Sequence, residues 1–178
     1  MKSSHSDISD ENTLLLGLEL PNTFAVSVIM EKRPSASPWA EHSWNAVGVT
    51  VGEVPVTKEP VRILQQGEIE QFLHTGFVVQ LHNDECERYY HNLMSPTPRC
   101  FVIATKTDNE PPRPYLVTLD FDEAHAYEEG DESVFSVDIP PELYRWCEAF
   151  LLEHYVQEKK FKRKLTDWSA PDSGTPKS

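Results

Sequence analysis

Apolar and polar residues alternate along two stretches in the first third of the chain, and a polar, proline-containing segment separates them. Residues 23–32 carry apolar side chains at every second position, and residues 44–51 repeat this pattern. A period of two is typical of strands with one buried face. The sequence therefore predicts a β-hairpin whose long connection exposes charged residues and Trp39.

Five more runs have the composition of short strands, and turn residues bound each of them. The seven predicted strands cover residues 23–32, 44–51, 61–64, 76–81, 87–94, 99–107 and 115–120. The last four are joined by the connections NDE, SPTP and DNEPPRP, which favour antiparallel neighbours over helical crossovers. We therefore expect a curled antiparallel β-meander.

The apolar period changes to that of a helix in three places. Residues 67–74 predict one or two helical turns. Asp120 and Glu123 have the spacing of a capping box and predict a helix over residues 121–129. Pro141 suits the first turn of a longer C-terminal helix, whose apolar stripe would cover the sheet. This stripe consists of Leu143, Trp146, Cys147, Phe150, Leu151 and Tyr155.

These elements predict the α+β class, with a curled antiparallel β-meander sheet packed by a C-terminal helix. We expect a disordered N-terminal tail over residues 1–21, a single α+β domain over residues 22–158, and a basic, disordered C-terminal tail over residues 159–178. Both tails are largely polar and of low complexity, so they cannot bury a core of their own.

Acidic residues outnumber basic ones, and the imbalance is uneven along the chain. There are 16 Lys and Arg against 29 Asp and Glu, a net charge of −13, and five of the basic residues lie in KKFKRK at 159–164. Residues 1–158 therefore hold ten basic and 27 acidic residues, a net charge of −17. Such a body repels nucleic-acid phosphates and favours a basic protein partner. Because no apolar run approaches the roughly 20 residues that span a membrane, we expect no membrane segment.

The cysteines and histidines show neither a redox nor a metal-binding pattern. Cys86, Cys100 and Cys147 lie far apart, and the N-terminus has no apolar signal segment, which indicates a reduced, cytoplasmic protein. His82–Cys86 and His74–His82 are the near pairs, and neither has the spacing of a zinc site. We predict no metal and no cofactor, and we interpret the cysteines as small buried hydrophobes.

Catalytic motifs are equally missing from the sequence. It contains no phosphate-binding loop, nucleophile elbow or zinc-protease motif. Seven of the thirteen residues 120–132 are carboxylates. A carboxylate cluster on a short exposed helix is a solvated surface or a docking face for a basic partner, since acid–base catalysis needs one desolvated group. We assign no catalytic residue.

Two groups of residues are candidates for binding. A partner-binding group lies in and beside the hairpin connection and consists of Glu31, Arg33, Trp39 and Trp44, because aromatic rings and arginine are enriched at interfaces. Within it we expect Trp44 to be buried and Trp39 to be partly exposed. A candidate ligand pocket consists of His74, His82, Tyr90 and Asn92. For the tyrosine, packing across the sheet is the alternative.

Several stretches carry residues that match the motifs of a known family. The matching residues are Glu31, Arg33, Trp39, Trp44 and Gly48; His74, Gly76 and Leu81; Asp84, Glu85, Tyr89, Tyr90, Asn92 and Leu93; and Pro140, Pro141, Trp146, His154 and Tyr155. On these residues the chain resembles the domain-of-unknown-function family 3305 over about residues 24–156.

The resemblance implies an accessory role, because members are small bacterial proteins often encoded beside molybdenum-dependent formate dehydrogenases. Some members carry the label of molybdopterin-guanine dinucleotide biosynthesis protein A. That enzyme opens with a Gly-rich nucleotide loop, which this chain lacks. The resemblance therefore implies assembly, cofactor insertion or stabilisation of a molybdoenzyme, and not guanylyl transfer.

Two functions stay open at this point. The first is a non-catalytic accessory or adaptor protein that recognises a protein partner, such as a molybdoenzyme subunit, through residues 31–44. The alternative is a small cofactor-handling enzyme or carrier that holds a pterin or nucleotide in the candidate ligand pocket. The sequence does not determine the oligomeric state.

Overall fold

The computed structural model describes residues 20–107 and 110–155, which contain seven strands and three helices. The strands are β1 (Thr23–Pro34), β2 (His42–Val51), β3 (Val61–Gln66), β4 (Ile69–Gln80), β5 (Arg99–Ala104), β6 (Pro114–Thr118) and β7 (Ser133–Asp138). The helices are α1 (Cys86–Leu93), α2 (Phe121–Glu129) and α3 (Pro141–His154). The expectations for the two tails fall mainly on residues 1–19 and 156–178, which lie outside the described residues, so the domain boundaries stay predictions.

All strand pairs are antiparallel, and the strands form two sheets. The first sheet has the order β2-β1-β4-β3 and the second the order β6-β5-β7. The predicted α+β class, with antiparallel strands and a C-terminal helix, is confirmed. The strands divide between two sheets because β4 returns to pair with β1, while β5 has β6 and β7 as its neighbours.

One hydrophobic core joins both sheets to α1 and α3. It contains Val28 and Met30 of β1, Val102 of β5, Tyr89 of α1 and Phe150 of α3, all essentially inaccessible to water. The predicted stripe of α3 faces this core along most of its length. Burying each large side chain contributes about 1.5–3 kcal/mol, so α3 is an integral part of the fold.

Strand β5 is buried on both faces. Cys100 and Val102 belong to the main core, whereas Phe101 and Ile103 face the other side and pack with Ala124 of α2. Alternate residues of a strand face opposite sides of its sheet. The unbroken apolar run of β5 therefore follows from its position between the main core and α2. All three cysteines are free and buried, as predicted.

The predicted strand over residues 87–94 is wrong, because this segment is helix α1. Cys86, Tyr89 and Leu93 are its buried residues. Their spacing of three and four residues places all three on one helical face against the core. The adjacent Tyr89 and Tyr90 are residues enriched in strands, which hides that period.

The predicted helical turns over residues 67–74 are also wrong, because residues 69–80 form the long strand β4. This strand pairs with β1 on one side and with β3 on the other. Gly67 has a φ of 62° and forms the turn of the β3–β4 hairpin. Pairing on both edges overrides the local helical spacing of the apolar residues. The sequence pattern also missed strand β7.

Helix α2 lies where the capping residues predict it, but only half of the capping box forms. Oδ1 of Asp120 accepts hydrogen bonds from the backbone N–H groups of Asp122 at 2.9 Å and Glu123 at 3.3 Å. The Glu123 carboxylate instead accepts from the Thr118 hydroxyl at 2.6 Å. No helix within the described ranges is long and apolar enough to cross a membrane.

Candidate functional site

Two adjoining cavities open beside the first sheet and form one elongated cleft, here called the Trp44 cleft. The inner cavity has a volume of about 620 Å³ and the outer cavity about 720 Å³. Trp44 lines both of them, as do Lys32, Glu110, Pro111 and Pro112. Cavities of this size are in the range that holds a small ligand or a short peptide segment.

The floor of the inner cavity is aromatic. Trp44 on β2 lies opposite Lys32 on β1, and Phe72 on β4 lies opposite Met30 on β1. This register places both rings on the core-facing side of the first sheet. Their ring centroids are 5.6 Å apart, a distance typical of interacting aromatic pairs. Phe77 of β4 also lines this cavity.

One wall of the inner cavity is the connection between β2 and β3. The backbone N–H of Thr57 donates to the Thr75 hydroxyl at 2.9 Å, and the two hydroxyls are 3.2 Å apart. Gly76 has a φ of 89°, and a Cβ at this position would lie 3.0 Å from Cγ1 of Val56. A residue without a side chain therefore lets this connection approach β4 closely.

A second wall is the connection between β5 and β6, of which residues 110–114 line the inner cavity. The backbone N–H of Thr105 donates to the carbonyl of Arg113 at 3.0 Å, and the Arg113 N–H donates to the Thr105 hydroxyl at 3.2 Å. Pro111, Pro112 and Pro114 also line the inner cavity. Because proline fixes φ, residues 111–114 of this wall have few accessible conformations.

Basic side chains are concentrated around the cleft. Its lining includes four basic residues, Lys32, Lys58, Lys106 and Arg113, and three acidic ones, Glu41, Glu59 and Glu110. The whole chain, in contrast, has 16 basic and 29 acidic residues. Lys32 pairs with Glu70 at 3.5 Å, and Lys106 pairs with Asp131 at 2.7 Å. Lys58 and Arg113 form no salt bridge with any residue in the described ranges.

A half-buried histidine completes the inner cavity. His74 of β4 lies opposite Val28 of β1, on the same side of the sheet as Trp44. Burial lowers the pKa of the His74 imidazole, and the positive charge of Arg113 lowers it further. The imidazole is therefore neutral at physiological pH, with one nitrogen that donates and one that accepts a hydrogen bond.

We expect the His74 imidazole to titrate below the pKa of about 6.5 of a histidine in an unfolded chain. Between the pKa of His74 in the folded protein and its pKa in the unfolded chain, the unfolded state binds more protons. The contribution of His74 to stability is therefore complete above the unfolded pKa. It decreases as the pH falls from the unfolded pKa to the folded pKa. NMR titration of the ring protons measures the pKa directly. His74→Gln should remove this part of the pH dependence of unfolding, whereas a pKa at or above the unfolded value would contradict the assignment.

The family comparison applies to nearly all of the described fold. The family described as "Protein of unknown function (DUF3305)" matches residues 25–164. The chain belongs to this family. No curated protein matches the chain, and no solved structure does. The matched range of this DUF3305 chain includes every residue that lines the Trp44 cleft.

The DUF3305 fold divides the predicted partner-binding residues between two faces of the first sheet. Trp39 lies in the β1–β2 connection, is 94% exposed and lines the outer cavity next to Trp44, which is half-buried. Glu31 and Arg33 alternate with Lys32 and so point to the opposite face. Glu31 is 5% exposed and accepts hydrogen bonds from Arg33 and from Gln71, which lower the pKa of its carboxyl.

The four residues of the candidate ligand pocket lie in different surroundings. His74 lines the inner cavity, and His82 lines a separate cavity of about 290 Å³. Tyr90 packs against Tyr155, with ring centroids 5.2 Å apart. The Asn92 side chain donates to the carbonyls of Arg99 and Leu119 at 2.8 Å each and accepts from the Arg99 N–H at 3.0 Å. Asn92 therefore has a structural role.

Sequence reasoning missed Lys58, Phe72 and Arg113 as members of the cleft. The helical prediction for residues 67–74 concealed that Phe72 and His74 point to one side of a strand. The run Pro-Pro-Arg-Pro at 111–114 was a usable signal, because three prolines around one arginine indicate a rigid wall that presents a cation.

A second polar cluster lies away from the cleft, around a cavity of about 440 Å³. Arg88 of α1 forms ion pairs with Glu85 and with the buried Asp120, both at 2.8 Å. The Tyr89 hydroxyl donates to Glu85 at 2.8 Å. Burial raises the pKa of Asp120, while the amides of α2 and the Arg88 charge oppose the rise. The four residues fix α1 relative to α2.

The described part of the chain offers no metal site or reactive thiol. It contains no group of three or more His, Cys, Asp or Glu residues that could hold a metal ion. Burial raises the pKa values of Cys100 and Cys147 to about 12, so both are protonated at neutral pH. A protonated, buried thiol is a poor nucleophile.

Proposed function

We propose that this DUF3305 protein is a non-catalytic accessory protein that binds a partner polypeptide at the mouth of the Trp44 cleft. The observation that carries this proposal is Trp39, a large aromatic side chain that is 94% exposed beside the outer cavity. Tryptophan is the residue most enriched among those that dominate binding energy at protein interfaces. An exposed indole at the edge of a cavity is therefore a fitting anchor for a partner.

The β1–β2 connection holds Trp39 in a defined turn. The Ser35 N–H donates to the Glu41 carbonyl at 3.1 Å, the Ser37 N–H donates to the Ser35 hydroxyl at 3.0 Å, and the Trp39 N–H donates to the Ser37 hydroxyl at 3.3 Å. Ordering a loop before association reduces the entropy lost on binding. This turn therefore supports a role of Trp39 in recognition.

The chemistry of the cleft favours binding over nucleophilic catalysis. Nucleophilic enzymes need a hydroxyl or thiol within hydrogen-bonding distance of a base. Within the described residues, His74 has no hydrogen bond to a hydroxyl or thiol; Thr57 and Thr75, which line the same cavity, bond to each other. The carrier alternative required four residues in one pocket, and only His74 of the four lines this cleft.

The family resemblance supplies the proposed partner, a subunit of a molybdenum-dependent formate dehydrogenase. In this proposal the protein assists assembly or maturation of that enzyme in the cytoplasm. The exposed carboxylates of Asp122, Glu128, Glu129 and Asp131 would attract basic segments of the partner and increase the association rate, an effect that added salt weakens.

We expect Trp39→Ala to weaken partner capture at least fivefold, the loss of about 1 kcal/mol or more that is typical of an interface anchor. Tagged wild-type protein would be recovered from its native host, its partners identified by mass spectrometry, and the dissociation constant measured with the purified partner. Leu152→Ala is the matched control, since Leu152 is 85% exposed on α3, outside the cleft. Capture that is indifferent to Trp39→Ala would refute the interface, and recovery of no formate dehydrogenase subunit would refute the proposed partner.

A further inference from the structure

We propose that the inner cavity of the Trp44 cleft is a binding site for a ligand that joins a flat aromatic ring to an anionic group. This inference goes beyond partner capture, which uses Trp39 and the outer cavity. Three observations carry it: the aromatic floor, the two cations that form no salt bridge within the described residues, and the proline-rich wall at residues 111–114.

The floor determines the shape of the ligand. Trp44 and Phe72 form a tilted aromatic pair, and Phe77 lies beside them, so three rings border a space of about 620 Å³. Aromatic rings associate through offset stacks and edge-to-face contacts, which a flat ring satisfies better than a branched aliphatic group does. The volume accommodates a ring system with one substituent.

The cations determine the charge of the ligand. Lys58 and Arg113 belong to different connections that line the cavity, and within the described residues neither forms a salt bridge. Arg113 lies near enough to His74 for its charge to lower the pKa of that imidazole. An anionic group between Arg113 and His74 would form charge-assisted hydrogen bonds, which are the stronger kind.

Two glutamates also border the inner cavity and disfavour ligands with several negative charges. Glu59 and Glu110 are exposed, as are Lys58 and Arg113, whereas His74 is half-buried. The anionic group is therefore placed at the inner end, beside His74 and Arg113, and the ring lies on the aromatic floor. A polyanion that extended to the exposed glutamates would be repelled by them.

The test uses two pairs of probes that differ in charge and share a ring. Adenosine 5′-monophosphate is compared with adenosine, and 2-naphthoate with 2-naphthamide, each titrated into the full-length protein by calorimetry and by NMR of the Trp44 indole N–H. We expect each anion to bind at least tenfold more tightly than its neutral counterpart. Binding should also raise the pKa of His74, because an adjacent anion favours the protonated imidazole.

Variants locate the site and separate it from partner capture. Arg113→Gln and Lys58→Gln should each reduce anion affinity at least fivefold, Arg113→Lys should restore part of it, and Arg145→Gln on α3 should leave it unchanged. An unaltered unfolding temperature shows that each variant is folded. Trp39→Ala should weaken partner capture and spare the probes, so either proposal can fail alone.

Equal binding of charged and neutral probes would overturn the inference. So would anion binding that is indifferent to Arg113→Gln, or that leaves both the Trp44 indole resonance and the His74 pKa unchanged. Competition between the anionic probe and the captured partner then identifies the natural source of the ligand. If the probe displaces the partner, the site binds an acidic aromatic element of that partner. If both bind together, the site binds a free small molecule.

Discussion

Replacing Asp120 by alanine should lower the free energy of unfolding by about 2–4 kcal/mol, because this carboxylate both caps a helix and pairs with a cation. Its side chain is fully buried between β6 and α2. Oδ1 accepts two amide hydrogen bonds from the first turn of α2, and Oδ2 lies 2.8 Å from Arg88. Alanine would leave two helix amides unpaired and the guanidinium with only Glu85. Denaturant unfolding followed by circular dichroism measures the loss.

Two companion variants separate these contributions. Asp120→Asn keeps an oxygen that can cap α2 but removes the charge, so it should lose about half as much stability as alanine. Asp122→Ala removes an exposed carboxylate two residues further along, in the first turn of α2, and should change stability by less than about 0.5 kcal/mol. Because burial raises the pKa of Asp120, its ionised form is partly disfavoured, and the expected loss lies below that of an ideal buried pair. A change below about 1 kcal/mol for Asp120→Ala would show that α2 does not depend on this carboxylate.

Replacing Trp146 by alanine should lower the free energy of unfolding by about 3–5 kcal/mol, the range for truncation of a large aromatic side chain in a core. Trp146 of α3 is 7% exposed and packs against Phe24 of β1, with ring centroids 5.1 Å apart. Its Nε1–H donates to the carbonyl of Pro21 at 2.8 Å. Removal would open a cavity and leave that carbonyl unpaired. The urea midpoint and slope measure the effect.

The matched variants on α3 test this account of Trp146. Trp146→Phe keeps most of the packing but loses the hydrogen bond, and should lower stability by about 1–2 kcal/mol. Leu152→Ala lies six residues further along the same helix but is exposed, so a change below about 0.5 kcal/mol is expected. Similar losses for Trp146→Ala and Leu152→Ala would contradict the placement of α3 against β1.

Local patterns predicted those elements whose burial follows a simple period. Apolar residues recur at every second position of β1 from Phe24 to Met30, and the buried residues of α3 have helical spacing from Leu143 to Leu151. For residues 67–74 the sequence predicts a helix where the structure has a strand, and for residues 87–94 it predicts a strand where the structure has a helix. Both segments have strand-forming residues at nearly helical spacing. In β4, pairing with β1 and β3 decides the conformation, and this tertiary contact is absent from local sequence.

The candidate site was only partly predictable for the same reason. Trp39 and Trp44 stand out in the sequence as aromatic residues in a long connection, and the fold brings both to one cleft. Their neighbours Phe72, His74 and Arg113 come from segments that are distant in the chain. Arg33 is adjacent in sequence but lies on the other face of the sheet, where it bonds to Glu31. Residues that are close in sequence can thus face opposite sides of the same sheet.

The two walls of the Trp44 cleft are attached to different sheets. Thr57 and its neighbours are fastened to β4 of the first sheet, whereas Arg113 leads directly into β6 of the second. A ligand that contacts both walls therefore connects the two sheets, in addition to the apolar core that they share. Because such a ligand binds only the folded protein, its binding should raise the unfolding temperature as its concentration increases.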